Sequence, residues 1–166
     1  MDIDQVRQEI ESWLVNFVEV PHPALGGLPP CPFARSARLK KSYAVYLGAD
    51  PYYDLKNRGR MGMGDKEVII YAYDPKEWNY EMFSGSIELV NKEVLLPRDM
   101  LALEDHPDDV EIVNGICMNQ GTYALAMIQS LSKLDDAAKQ MASKGFYHSW
   151  PEEYLQVLFK NRTDPR

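Results

Sequence analysis

The spacing of apolar residues near the start of the chain is typical of an amphipathic helix. Steps of three, four and one residues place these side chains on one helical face. Asp2 or Asp4 can cap the first turn by accepting a backbone N–H, and Pro21 ends the helix. We therefore predict a first helix that buries Val6, Ile10, Trp13, Leu14, Phe17 and Val18.

Later segments have the β-branched, aromatic and aliphatic composition typical of strands. Tyr43–Leu47, Glu67–Tyr73 and Asp99–Glu104 are predicted as three strands. The stretch Pro51–Asp65 between the first two is rich in Gly, Tyr and Arg, and we predict a loop. Its glycine-rich part, Gly59–Gly64, lacks a phosphate-loop signature but has the hinge composition of a lid.

Capping signals predict helices around and after the third strand. Asp74–Glu77 combines a capping Asp, a Pro and a Glu, which predicts a helix that ends near Asn91. Asp105–Asp109 predicts a short helix that stops at Asn114-Gly115. We predict three further helices, which begin near Gln120, at Ser132 and at Pro151.

This order of elements indicates an α+β fold with a helical C-terminal part. We expect residues 1–166 to form a single α/β domain with a three- or four-stranded sheet covered by helices. The nearest named architecture is the ferredoxin-like α/β sandwich, although the sequence reveals no fourth strand.

Composition and charge narrow the function classes. The formal net charge is −7, which disfavours binding to nucleic acid and to anionic membranes because both present negative charge. The two cysteines are not the pattern of a disulfide-rich secreted domain. Neither a signal peptide nor a membrane-spanning apolar run is visible, so we expect a soluble cytoplasmic protein.

A proline-rich loop from Pro21 to Pro32 presents Cys31 between two prolines. A stiff loop is well suited to present a reactive group, and the nearby cations Arg35 and Arg38 favour a thiolate. The functional hypothesis is a nucleophile or a soft metal ligand. The alternative is that Cys31 is a small apolar residue of the core.

Two short patches resemble a small bacterial domain family of uncharacterised function. Trp13-Leu14 on the first helix is followed by Cys31-Pro32-Phe33-Ala34, then by Arg35 and the strand at Tyr43. Members of that family carry a Trp-Leu helix, a Cys-Pro-Phe-Ala turn, a basic residue and a strand in this order. The resemblance implies a compact α/β fold and directs attention to Cys31, but it implies no reaction.

A second candidate for chemistry is His106, which lies in an acidic stretch together with Asp108. An imidazole among carboxylates suits general acid–base catalysis. The alternative is a histidine at the acid-rich start of a helix. The histidines and cysteines match no known ligand spacing, so we assign no metal ligands and leave any cofactor undetermined.

Basic residues suggest a site for a small anionic ligand. A basic cluster follows the proline-rich loop, and tyrosines nearby could add stacking. The alternative is a solvated surface. The residues that we predict to bind the ligand are His22, Arg35, Arg38 and Arg60.

Two functions are compatible with these patterns. The first is an enzyme with a pocket at the proline-rich loop, where Cys31, His106 and Asp108 act on a small anionic substrate. The alternative is a non-catalytic binding or protein-interaction module in which Cys31 belongs to the core. Self-association into a homo-oligomer is open under both hypotheses.

Overall fold

A computed structural model describes all 166 residues. Six α-helices are present, and none is long and apolar enough to cross a membrane. The helices are α1 (Ile3–Trp13), α2 (Ala34–Leu39), α3 (Pro51–Met61), α4 (Tyr80–Val90), α5 (Leu131–Ser143) and α6 (Glu152–Leu158). The strands are β1 (Tyr43–Leu47), β2 (Val68–Tyr73), β3 (Met100–Asp105), β4 (Ile112–Val113), β5 (Ile116–Cys117) and β6 (Ala124–Ser130).

Four strands form one mixed sheet in the order β1-β2-β6-β3. β1 is parallel to β2, and β6 is antiparallel to both β2 and β3, so β1, β2 and β3 run in the same direction. Helix α4 joins β2 to β3 with β6 inserted between them, which is the split β-α-β unit of ferredoxin-like folds. The predicted α+β class is confirmed, while the unit β1-α3-β2 adds an adjacent parallel pair.

Helices cover both faces of the sheet. On one face, a core cluster joins Leu55 of α3 and Phe83 of α4 to the strands. On the other face, Val6 and Ile10 of α1 pack against β1, β2 and β6. A third cluster, around Trp150, joins α5 and α6 to the chain near Leu25 and to the small β4-β5 sheet.

Several predicted elements are confirmed. Helix α1 begins after Asp2, whose carboxylate accepts from the backbone N–H groups of Asp4 and Gln5. All three predicted strands form, with boundaries shifted by at most one residue. Helix α5 forms as predicted and is followed by Gly145 in the left-handed conformation, but Ser130 caps it instead of the predicted Ser132.

The loop predicted for Pro51–Asp65 is wrong, because most of it forms α3. Asp50 caps this helix by accepting from Tyr53 N, and Pro51 occupies the first turn. Gly59 lies inside the helix, where an added Cβ would come within 2.8 Å of Leu95 Cδ2. That glycine therefore permits close packing of α3 against the chain after α4 and is not a hinge.

The segment after Asp105 also differs from the prediction. The short helix is absent, and β4 and β5 instead form a hairpin around Asn114-Gly115, both of which have positive φ. The helix predicted from Gln120 is the missing fourth strand, β6, which lies in the middle of the sheet. Its alanines, leucine and methionine favour a helix locally, but this segment forms a strand because it pairs with β2 on one side and with β3 on the other.

The helix predicted from Asp74 begins later. Asp74 accepts from Lys76 N at 2.8 Å within a turn, and Asn79 caps α4 by accepting from Met82 N at 3.1 Å. After Val90 the chain continues as a π-helical turn, Asn91–Leu95. This turn determines the geometry of one edge of the sheet.

Candidate functional site

The outer side of β1 carries backbone groups that no strand of this sheet pairs. In a parallel ladder, alternate residues direct both their N–H and C=O groups to the neighbouring strand. Ser42 O accepts from β2 and Gly48 N donates to it, so even-numbered residues of this segment face β2. The outward-facing residues, which we call the β1 edge, are Tyr43, Val45 and Leu47.

An open groove of about 620 Å³ runs beside the β1 edge. Leu39 is 64% exposed beside it, and Tyr46 and Leu47 are each 38% exposed, whereas Val45 in the middle of the edge is buried, with 5% exposed. An exposed strand edge with apolar neighbours is a template for pairing with another chain. The groove is lined by Arg7 and Glu11 of α1, by Arg38, Leu39 and Lys41 at the end of α2, and by residues 43–46.

One side chain of the protein touches the β1 edge. The Arg7 guanidinium lies 3.5 Å from the backbone oxygen of Val45, at the outer limit of hydrogen bonding. The Arg7 side chain is 54% exposed and also lies 3.6 Å from Asp4. A charged side chain at a strand edge is a common guard against uncontrolled pairing. Arg7 therefore covers one acceptor of the edge with a weak contact.

At the opposite edge of the sheet, Asn91 seals the central outward-facing residue of β3, Ala102. The Asn91 Nδ2 donates to Ala102 O at 2.9 Å, and Asn91 Oδ1 accepts from Ala102 N at 2.8 Å. Both residues are buried. An amide side chain thus replaces the hydrogen bonds of a fifth strand at Ala102, the middle of the three outward-facing residues of β3.

The π-helical turn Asn91–Leu95 places this seal. An i→i+5 turn shifts the side chains that follow it relative to a regular helix. Asn91 opens the turn and is buried against β3, while Val94 and Leu95 join the core on the α3 side. The turn therefore places Val94 and Leu95 in the core and the Asn91 amide against the backbone of Ala102.

Aromatic and basic side chains pack beside the β1 edge on the α3 side. The Tyr46 ring stacks on that of Tyr71 at a centroid distance of 5.4 Å. The Arg58 guanidinium lies 5.1 Å from the Tyr46 ring centroid and donates from Nε to Tyr71 Oη at 3.2 Å. These contacts hold the exposed Tyr46 ring in place, so it is a preorganised surface.

The residues predicted to bind an anion do not form one site. Arg38 makes a bidentate pair with Glu19, at 2.7 and 3.0 Å, which raises the pKa of the Arg38 guanidinium. Arg35 and Arg60 are exposed and make no ion pair. The His22 ring lies edge-on to Phe17 at 6.1 Å. Of these predicted residues, Arg38 alone lines the groove.

His106 is held by two hydrogen bonds in a buried position. Its Nε2 lies 2.9 Å from Trp78 O, and because a carbonyl only accepts, this nitrogen carries the proton. Its Nδ1 accepts from Asp108 N at 3.1 Å, while the Asp108 side chain is 71% exposed. Both ring nitrogens are therefore engaged, which leaves none free for the general base that the sequence suggested.

Cys31 packs at the border of the core cluster that contains α1. Its backbone N–H donates to Val18 O at 3.2 Å, its backbone oxygen accepts from Ala34 N at 3.2 Å, and its side chain packs against the same cluster as Trp13. Burial raises the pKa of the Cys31 thiol. A raised pKa keeps the thiol protonated at neutral pH, and a protonated thiol is a poor nucleophile.

Cys31 and His106 lie on opposite faces of the sheet. Cys31 packs on the α1 face, whereas the His106 ring lies 5.7 Å from the Phe83 ring of α4 on the other face. The structure therefore does not bring these predicted catalytic residues into one pocket. It also brings together no group of three or more His, Cys, Asp or Glu side chains that could hold a metal ion.

The acidic stretch around His106 forms an internally bonded network. Asn119 Nδ2 donates to Asp105 Oδ1 at 2.7 Å and also contacts the backbone oxygens of His106 and Asp109. Its Oδ1 accepts from Glu111 N at 2.7 Å. Burial raises the pKa values of the Asp105 and Glu111 carboxyls. The network fixes the loop between β3 and β4.

This chain matches no protein-family model, no curated protein and no solved structure. The resemblance at Cys31–Ala34 stays a prediction. Sequence reasoning missed both sheet edges. The composition of Tyr43–Leu47 predicted a strand but not its place at an edge, and nothing around Asn91 signalled the seal.

Proposed function

We propose that this chain is a protein-interaction module that binds an extended segment along the β1 edge by strand addition. The observation that carries the proposal is the set of unpaired outward backbone groups of Tyr43 and Leu47 beside an open groove, with the buried Val45 between them touched only by Arg7. In strand addition, backbone hydrogen bonds supply affinity, and the pockets beside alternate side chains supply selectivity.

The side chains around the groove support binding. Leu39 and Leu47 offer apolar area that solvent covers in the free chain, and Tyr46 is held ready by Arg58 and Tyr71. A ring that is already ordered loses little conformational entropy when a partner packs on it. These features fit a docking surface that is largely formed before the partner arrives.

The rival hypothesis, an enzyme site at the proline-rich loop, draws less support from the geometry. His106 and Cys31 are packed on different faces, and their polar atoms serve the fold. Asp108 is exposed beside His106. None of these groups lines the groove at β1, so the interaction module is the better-supported function.

The test selects short linear peptides from a phage-displayed library on the immobilised protein. We expect enriched peptides to bind the wild type and to slow hydrogen exchange at the amides of Tyr43, Val45 and Leu47. The matched variant is Leu47→Pro, which removes an outward N–H and no bond of the ladder to β2. Binding should fall at least about tenfold, which corresponds to about 1.4 kcal/mol.

Two results would contradict the proposal. One is a selection that enriches no peptide at all. The other is a set of peptides that bind Leu47→Pro as tightly as the wild type and protect amides elsewhere. Thermal unfolding of the variant confirms that a loss of binding reflects the edge and not a loss of folding.

A further inference from the structure

We infer that the segment that docks along the β1 edge is acidic and that Arg7 selects it. The inference rests on the proposed function and specifies the chemistry of its partner, an extended segment with a carboxylate side chain on the α1 face of the sheet. The evidence lies in the groove beside the β1 edge, because α1 contributes charged side chains to its lining.

The direction of the β1 side chains determines where those of a docked strand lie. Tyr43 and Val45 pack against the α1 side of the sheet, and their backbone groups point outward. Residues of an added strand that lie opposite them direct their side chains to the same face. Every second side chain of the segment therefore lies along the groove beside Arg7, and the ones between lie on the α3 face beside Tyr46.

Two cations in the lining of the groove are available to a partner. The Arg7 side chain is 54% exposed, and its ion pair, at 3.6 Å, is with Asp4, whose side chain is 88% exposed. An exposed pair of this kind contributes little. Lys41 is exposed and forms no ion pair. Both positive charges can therefore be recruited by a docked carboxylate.

The other charges of the groove leave a positive surplus. Arg38 is already neutralised by its bidentate pair with Glu19. Glu11 is the single carboxylate of the lining, against the two available cations. The chain as a whole carries a charge of −7, but exposed charges separated by more than about 8 Å are largely screened at physiological salt. The groove is therefore a local positive site on an acidic protein.

Arg7 links this charge to the opening of the edge. Its guanidinium lies 3.5 Å from Val45 O, so a strand that pairs along the whole of β1 displaces it. A displaced guanidinium that a neutral segment covers loses hydration without gaining a partner, which costs free energy. A carboxylate on the α1 face instead replaces the long contact to a neutral carbonyl with a charge-assisted pair.

The same residue therefore disfavours other segments. A basic segment meets the like charges of Arg7 and Lys41, and a neutral segment leaves both cations without a partner. Selectivity of this kind depends on the penalty for the wrong partner as well as on the favoured contact. On the α3 face, the exposed Tyr46 ring favours apolar side chains. The preferred segment consequently alternates acidic and apolar residues.

The test uses synthetic peptides long enough to span β1, and fluorescence anisotropy measures their binding to the full chain. One peptide alternates Glu and Val, the second alternates Gln and Val, and the third has the residues of the first arranged in two blocks. We expect the Glu-Val peptide to bind at least about tenfold more tightly than the Gln-Val peptide. The block peptide should bind more weakly than the alternating one, and added salt should reduce the preference for Glu.

Three variants test the cations. Arg7→Gln should weaken binding of the Glu-Val peptide several-fold, whereas binding of the Gln-Val peptide should stay the same or rise. A variant that fails to fold would lose both peptides. Lys41 has a positive φ, and Lys41→Asn removes its charge with a residue type that tolerates this conformation. It should also weaken binding of the Glu-Val peptide. The matched control is Lys144→Asn, at an exposed residue outside the groove, which should change neither affinity.

The outcomes separate the inference from the proposed function. Equal binding of the Glu-Val and Gln-Val peptides, with both lost in Leu47→Pro, overturns the acidic partner and leaves strand addition standing. A preference for Glu that survives both Arg7→Gln and Lys41→Asn overturns the role of these cations. If neither synthetic peptide binds, a library selection that enriches only peptides without acidic residues overturns the inference. A selection that enriches no peptide overturns the proposed function as well.

Discussion

The two edges of the sheet are treated in opposite ways. On β3, Asn91 saturates both backbone groups of Ala102 with buried hydrogen bonds of 2.9 and 2.8 Å. On β1, one exposed arginine touches Val45 O at 3.5 Å, and the backbone groups of Tyr43 and Leu47 have no partner. The central outward residue of β3 is therefore closed by buried hydrogen bonds, whereas the outward residues at the two ends of β1 are left available.

This difference carries the functional argument. An unpaired strand edge exposes a chain to uncontrolled association, so folded proteins cover, charge or shorten their edges. Here the covering side chain is buried on β3, whereas the guard on β1 is half-exposed and makes one long contact. Under the proposed function, this edge, with its apolar neighbours and the preordered Tyr46, is where a strand docks.

Removing the seal on β3 should produce the largest change in stability. Asn91→Ala leaves the buried N–H and C=O of Ala102 unpaired, and the expected loss is about 2–4 kcal/mol in the free energy of unfolding. Urea unfolding measures it. The control Lys92→Ala changes an exposed neighbour and should shift stability by less than about 0.5 kcal/mol. Equal effects of the two variants would show that Asn91 does not close this edge.

A pair of proline substitutions distinguishes the two sides of β1. Ala44→Pro removes an N–H that faces β2 and leaves its acceptor there unpaired, with an expected cost of about 1–3 kcal/mol. Leu47→Pro removes an outward N–H and should cost less. Urea unfolding of both variants compares them. A larger cost for Leu47→Pro would contradict the assignment of outward-facing residues.

The smallest expected effect is a pH dependence of the free energy of unfolding. It arises from Glu104, the last outward-facing residue of β3. Burial raises the pKa of its carboxyl, which accepts from Ser84 Oγ at 2.8 Å. The pKa of the Glu104 carboxyl is therefore higher in the folded state than in the unfolded state. Its contribution to the free energy of unfolding is complete at pH values below the unfolded-state pKa, and it is lost as the pH rises through the folded-state pKa.

Glu104→Gln keeps the shape and the hydrogen bond but cannot ionise. We therefore expect the variant to gain stability relative to the wild type as the pH rises from acid to neutral. Urea unfolding of both proteins across that range measures the difference. A difference that stays constant with pH, or that has the opposite sign, would contradict the raised pKa of Glu104.

Local sequence signals predicted much of the fold because they act within a few residues. The capping Asp2 and the β-branched, aromatic segment Val68–Tyr73 formed the elements expected of them. Ala124–Ser130 did not, because its helix-favouring residues are overridden by pairing with β2 and β3. Pro51–Met61 was mistaken for a loop since Gly59, needed for packing, resembles a hinge.

The candidate site was harder to predict because edges are properties of the whole sheet. The composition of Tyr43–Leu47 indicates a strand but contains no information on which side a neighbour will lie. The seal by Asn91 depends on contact with Ala102, which the π-helical turn and the strand create together. Conversely, Cys31 and His106 carry chemistry-bearing side chains, but the fold uses them in packing.

The most direct measurement is residue-resolved amide hydrogen exchange with and without a selected peptide. In the free chain, we expect fast exchange at Tyr43 and Leu47, and slow exchange at Ala44 and at the sealed Ala102. With saturating peptide, the amides of Tyr43 and Leu47 should become protected while the protection of Ala102 stays unchanged. Protection of these two amides already in the free chain, or fast exchange with the peptide bound, would contradict an open edge that docks a strand.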